Sequence, residues 1–302
     1  MEIYEIINQA IFDEPVTYKG VKISPITIKY YNLVKEAPKA FALDPAMDTD
    51  IELLGLPYME YLMRKALKNP EFISVWNIFN SILQLSFQEQ IHSFKYEGDF
   101  LKLVVAVPTK KYNEETMCVY KEKLEKYNIL GKDDFHKLLN ERQLKTLKDE
   151  LDTLANSMFV FHTFDDNDFN EIKKIICFLN DIDDEVFDPR WEAELKKTSE
   201  IMAKISSKNN PPSLEDLIDA VAFHLRKLPS EIKDMTVRRF DRYLEMEIDK
   251  ENYMLCRTAE LNGTEFKQPI KHWLKEYKPK GRYSSAQNNG ERIQEIFNNK
   301  KE

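Results

Sequence analysis

Glycine is scarce in this chain, with 7 residues among 302. Barrels and doubly wound sheets use glycine repeatedly, because their tight turns and close backbone approaches favour a residue without a Cβ. Glu, Lys and Leu, which favour helices, are by contrast frequent. The composition therefore predicts a predominantly helical chain. Together with the hairpin patterns of residues 16–27 and 88–107, it predicts an α+β fold with short β-hairpins in the N-terminal part.

Two stretches carry the pattern of β-hairpins. Residues 16–27 alternate β-branched and polar side chains around Lys19-Gly20, and residues 88–107 do so around Glu97-Gly98-Asp99. A short strand is also predicted at 158–162.

Most of the remaining chain has the apolar spacing of amphipathic helices. One stripe recurs at spacings of three and four and is predicted to be buried; its members are Phe72, Val75, Trp76, Phe79, Ile82 and Leu83. Residues 112–158 combine helical spacing with mixed charges, which is typical of a solvated helix surface. Near the C-terminus we expect a capping box from Ser213 to Asp216. We then expect a helix over 237–250 capped by Thr236, and a separate helix over 252–261 that Asn262-Gly263 closes as a C-cap.

These elements suggest four segments. They are a mixed α/β N-terminal domain over 1–111, a helical middle region with an acidic linker over 112–210, a helical C-terminal domain over 211–278 and a flexible tail over 279–302.

Charge and cysteine content narrow the class of protein. The net charge is −8, whereas a general nucleic-acid-binding protein needs a basic surface, so nucleic acid is an unlikely partner. No apolar run approaches the ~18 residues that span a bilayer, and no signal peptide is recognisable. The three cysteines lack CxxC spacing and read as reduced thiols, Cys177 as a core residue. We therefore expect a cytoplasmic protein with no membrane partner.

The most acidic stretch, residues 180–197, reads NDIDDEVFDPRWEAELKK. An EF-hand loop beginning at Asp181 would place Val186 where that loop needs glycine. An acid–base pair would need a pocket that separates the two pKa values, and these carboxylates lie side by side in sequence. The stretch is predicted to be an acidic linker in which Pro189 begins a helix and Trp191 anchors it.

Other catalytic and ligand-binding patterns are missing from the sequence. No two of the five histidines have HxxxH spacing, and neither a GxGxxG nor a GKS/GKT phosphate loop occurs. We predict no catalytic residue, no metal and no cofactor, hence a protein that is not an enzyme. An enzyme using acids within 181–194 stays an open alternative.

Three stretches together carry a family resemblance. They are residues 18–31 (YKGVKISPITIKYY), the acidic stretch with its preceding helix over 168–197, and residues 212–274 with Gly263, Phe266, Lys267, Ile270, His272 and Trp273. In this order they resemble proteins encoded in the tail gene region of tailed phages and prophages of Gram-positive bacteria, a group associated with tail assembly chaperones.

The resemblance implies a non-enzymatic chaperone in the host cytoplasm. Its partners would be phage tail proteins, namely the tape-measure and tail-tube proteins. A structural virion component, such as a tail adaptor or baseplate protein, is the alternative, and homo-oligomerisation stays open. Amphipathic helices could accept partner helices, and the candidate partner-binding residues are Val237, Phe240, Tyr243, Leu244, Tyr253, Met254, Phe266, Ile270, His272 and Trp273.

Overall fold

The computed structural model describes residues 8–98, 100–132, 137–184, 212–266, 269–270 and 272–274. These residues form a mostly helical fold with two small antiparallel sheets, which confirms the predicted α+β class. The predicted C-terminal tail and the part of the acidic linker from 185 onward, including Pro189 and Trp191, lie outside the described residues.

The strands are β1 (Val16–Tyr18), β2 (Val21–Ile23), β3 (Ile91–Glu97), β4 (Phe100–Pro108) and β5 (Phe159–Phe164). The α-helices are α1 (Tyr31–Glu36), α2 (Pro38–Phe41), α3 (Tyr58–Lys68), α4 (Ile73–Phe87), α5 (Glu114–Lys132), α6 (Lys137–Met158), α7 (Asp166–Asn180), α8 (Leu214–Leu225), α9 (Pro229–Ile232) and α10 (Val237–Leu261). Short 3-10 turns at Ile28–Tyr30, Pro45–Met47 and Pro70–Phe72 connect several of them.

Both hairpin predictions and the predicted strand are confirmed. β1 and β2 form the first sheet, and β3, β4 and β5 form the second sheet in that order. Lys19 and Gly20 turn the first hairpin with φ values of 45° and 87°, the left-handed geometry of a two-residue hairpin turn. A Cβ on Gly20 would lie 2.6 Å from Cε1 of His162, so glycine also provides room there.

Contacts divide the chain into two compact units. One contains the described residues of 17–23 and 83–172, and the other contains the described residues of 1–16, 24–82 and 173–302. The second of these joins stretches from the predicted N-terminal and C-terminal segments, because Ile28 N–H donates to the Met235 carbonyl and Val237 N–H donates to the Ile26 carbonyl. The boundaries of the four predicted segments stay a prediction.

The predicted apolar stripe on α4 is largely confirmed as core. Phe79, Ile82 and Leu83 are fully buried, while Val75 and Trp76 are half-buried. Cys177 is buried as expected, and its burial raises the pKa of the thiol.

The predicted break between residues 250 and 252 is wrong. α10 runs without interruption from Val237 to Leu261, which is 25 residues or about 37 Å at 1.5 Å per residue. Neither glycine nor proline occurs within it, so nothing removes a backbone donor or favours a turn. Its caps are as predicted: the Thr236 hydroxyl accepts from Arg239 N–H, and Gly263 follows with φ 89°.

Candidate partner-binding surface

The first turns of α10 lie in the core. Val237 and Phe240 are fully buried, and Phe240 packs edge-to-face on Tyr31 with ring centroids 5.6 Å apart. The core cluster around Phe240 also contains Ile28, Val221, Ala222 and Ile232. Val237 and Phe240 therefore hold α10 in place and are not accessible to a partner, which corrects their assignment as partner-binding residues.

Tyr243 and Leu244 occupy the next turn and are half-buried against the same cluster. Nearby, Asp241 accepts from the Tyr31 hydroxyl at 3.1 Å and from Lys35 Nζ at 2.7 Å. These contacts fix the direction in which α10 leaves the core.

Beyond this point the apolar side chains of α10 are exposed. Ile248 is 51% exposed, Met254 57%, Leu255 69% and Leu261 86%. We call these four residues the apolar ridge. Ile248 and Leu255 are seven residues apart, as are Met254 and Leu261, so each pair projects from one side of the helix and the two pairs lie on adjacent sides.

Several predicted candidates cluster near this part of the helix. The Tyr253 ring lies 5.2 Å from that of His272, which in turn lies 5.7 Å from the Trp273 ring. Phe266 is 41% exposed and Ile270 is half-buried. The structure thus brings Tyr253, His272 and Trp273 together, and Tyr253 directly precedes the ridge member Met254 in sequence.

Acidic side chains surround the start of the apolar ridge. Glu245, Glu247, Asp249 and Glu251 all lie within three residues of Ile248, whereas Lys250 is the one basic residue in the same interval. Glu247 contacts His224 Nδ1 on α8 and lies 3.8 Å from Lys250 Nζ. Glu251 is exposed.

Sequence reasoning missed three members of the ridge, Ile248, Leu255 and Leu261. The signal was the seven-residue spacing: the predicted break between residues 250 and 252 separated Ile248 from Leu255, whereas Met254 and Leu261 fell within one predicted helix and their spacing was not used. Only in a continuous helix do Ile248 and Leu255 fall on the same side.

The opening of the acidic stretch offers no metal centre within the described part of the chain. Asp181, Asp183 and Asp184 are described, whereas Glu185 and Glu192 lie outside it. Among described residues, no three His, Cys, Asp or Glu side chains are grouped so that they could hold a metal ion.

Comparisons with known proteins find no matching family model, no matching curated protein and no matching solved structure. Among the helices that the structure describes, none combines the length and the apolar character needed to cross a lipid bilayer.

Proposed function

We propose that the protein is a non-enzymatic phage tail assembly chaperone that binds the tape-measure protein during tail morphogenesis. The observation that carries the proposal is the apolar ridge, in which four aliphatic side chains on one helix are 51–86% exposed. The resemblance of residues 18–31, 168–197 and 212–274 to tail-region proteins supplies the biological setting.

An exposed aliphatic ridge on a helix suits binding of another helix. Amphipathic helices associate by placing residues at i, i+3, i+4 and i+7 against one another. Two pairs of ridge residues, Ile248 with Leu255 and Met254 with Leu261, have the i+7 spacing. A tape-measure protein is long, apolar and helix-rich, so it presents many such segments before tail-tube subunits surround it.

The size of the ridge favours reversible binding. Full burial of one Leu or Ile contributes about 1.5–3 kcal/mol, and association itself costs at least about 4 kcal/mol. Four partly exposed side chains therefore leave a modest net affinity, which matches a chaperone that must release its client.

The first test is quantitative mass spectrometry of infected-cell lysate and purified particles. A chaperone is expected to be abundant in the lysate and missing from particles. A fixed copy number in particles would instead identify a structural virion component such as a tail adaptor or baseplate protein.

The second test assigns binding to the ridge. Co-expression with this protein should keep the tape-measure protein encoded in the same gene region soluble. Co-expression with the Leu255→Ser variant should leave the tape-measure protein insoluble. Leu67→Ser is the matched control, because Leu67 on α3 is 79% exposed and lies outside the ridge. Equal solubility with both variants would contradict a role for the ridge.

A further inference from the structure

A carboxylate lies within the apolar ridge. Glu251 follows Ile248 by three residues and precedes Leu255 by four, so all three lie on the same side of α10. Glu251 is exposed, and it has no ion-pair partner among the residues that the structure describes. A helix that covers both Ile248 and Leu255 therefore lies next to this carboxylate.

Covering a carboxylate with an apolar surface is unfavourable, because the charge loses its hydration without gaining a partner. A lysine or arginine on the incoming helix would remove this penalty by forming a charge-assisted hydrogen bond. The residue that faces Glu251 in the complex is thus expected to be a lysine or an arginine.

Other charges near the ridge also favour a basic partner. Residues 243–252 carry four carboxylates (Glu245, Glu247, Asp249 and Glu251) and one lysine (Lys250), a net charge of −3 (1 − 4). At the other end of the ridge, Leu261 lies at the C-terminus of α10, where the helix dipole is negative. The start and the end of the ridge thus favour positive charge, whereas Arg257 and Glu260 between them pair with each other.

A second copy of this chain fits the ridge poorly. Two α10 helices packed through Ile248 and Leu255, parallel or antiparallel, would bring their two Glu251 carboxylates close together, in a chain whose total charge is already −8. Like charges at such an interface oppose association, so the charge pattern favours a different helix.

We infer that the ligand of the apolar ridge is a basic amphipathic helix, with an aliphatic stripe bordered by lysine and arginine, one of which pairs with Glu251. This inference rests on the proposed function and specifies the partner segment that the chaperone selects. Within a tape-measure protein, the bound segments would be those whose aliphatic stripe has basic borders.

The test uses the full-length protein and two synthetic peptides. Both peptides carry the same leucine stripe, one bordered by Lys and Arg and the other by Glu, and binding is followed by fluorescence anisotropy. The basic peptide should bind about tenfold more tightly at low ionic strength. The preference should weaken towards physiological salt, where the Debye length falls to about 8 Å.

Substitution of Glu251 tests the ion pair that is proposed between Glu251 and a basic residue of the peptide. Glu251→Lys should lower the affinity for the basic peptide by about tenfold and raise the affinity for the acidic peptide. Glu251→Gln should reduce the preference for the basic peptide without reversing it. Glu125→Lys is the control, because Glu125 is an exposed residue of α5 and the variant makes the same change in net charge.

The outcomes separate this inference from the proposed function. Equal binding of both peptides, lost in Leu255→Ser, would overturn the charge selection while supporting a helix-binding ridge. Sedimentation showing a dimer of this chain that Leu255→Ser dissociates would make the ridge a self-interface and overturn both. A preference for the basic peptide that survives Glu251→Lys would also reject the assignment of Glu251.

Discussion

The α5–α6 pair and the second half of α10 carry similar sequence patterns but leave their apolar residues in different surroundings. On α6, five apolar residues repeat at spacings of three and four, and all are buried or half-buried: Leu144, Leu147, Leu151, Leu154 and Met158. α5 packs along α6 as an adjacent helix, and Met117 and Tyr120 join Leu154 around Met158. On α10, Ile248, Met254, Leu255 and Leu261 stay exposed.

The difference shows that helical periodicity determines which side of a helix is apolar, but not whether another part of the protein covers that side. α5 and α6 form successive helices, so each covers the other at little entropic cost. The second half of α10 extends past the cluster around Phe240, and no described helix covers Leu255 or Leu261. An apolar face that no other helix covers is available to a partner, which is why the proposed binding surface lies on this half of α10.

The largest effect is expected from a substitution in the part of α10 that packs in the core. Phe240→Ala should lower the free energy of unfolding by about 3–5 kcal/mol, because it removes a fully buried ring and leaves a cavity. Urea unfolding followed by circular dichroism measures the change. Phe223→Ala is the matched control, since Phe223 on α8 is 88% exposed and its loss should matter little.

The next prediction compares the two regions with one kind of substitution. Leu151→Ala should cost about 2 kcal/mol or more, since Leu151 is buried. Leu255→Ala should stay within about 0.5 kcal/mol, because its side chain is already in water. Equal losses in urea unfolding would mean that Leu255 is covered in the protein, and the contrast between the two regions would fail.

A smaller effect is expected at the end of α10. Gly263 has φ 89° with open space around its Cα, so Gly263→Ala should cost about 1 kcal/mol through backbone strain alone. Gly263→Asn should lose less, because asparagine tolerates the left-handed region. Hydrogen exchange of the last turn of α10 should accelerate in that order; identical exchange in all three proteins would show that the ridge does not depend on this cap.

The smallest effect concerns the charged surface of the α5–α6 pair. Lys123 contacts Glu150 across the two helices, and both side chains are partly in solvent. Lys123→Ala should therefore cost at most about 0.5 kcal/mol, and the loss should shrink in high salt. A double-mutant cycle with Glu150→Ala isolates the pair, with Lys126→Ala as a control. A coupling well above this value would mean that charge, rather than the leucine seam, holds the two helices together.

Much of the fold was predictable because its signals are local. The turn at Lys19-Gly20, the box from Ser213 to Asp216 and the Thr236 cap depend on residues within one turn of each other. One exception was the break predicted between residues 250 and 252. Without glycine or proline the backbone hydrogen bonds simply continue, so α10 is one helix.

The candidate surface was predictable only in part. Met254 and Phe266 are exposed as a binding role requires, and Tyr253, His272 and Trp273 lie together. Val237 and Phe240 belong to the core instead. Sequence periodicity identifies both groups as apolar in the same way, because it records which side a residue occupies and not what lies opposite.

The sequence by itself determined the helical character, the hairpins, the helix caps and the acidic balance of this protein, since each arises from neighbouring residues or from composition. Tertiary structure alone decided which half of α10 would be buried. Ile28 precedes Phe240 by more than two hundred residues, and Val221 and Ile232 reach it from two other helices. No local sequence pattern shows how far along α10 such distant segments pack. In the structure they cover only its first turns, so Ile248, Leu255 and Leu261 stay exposed.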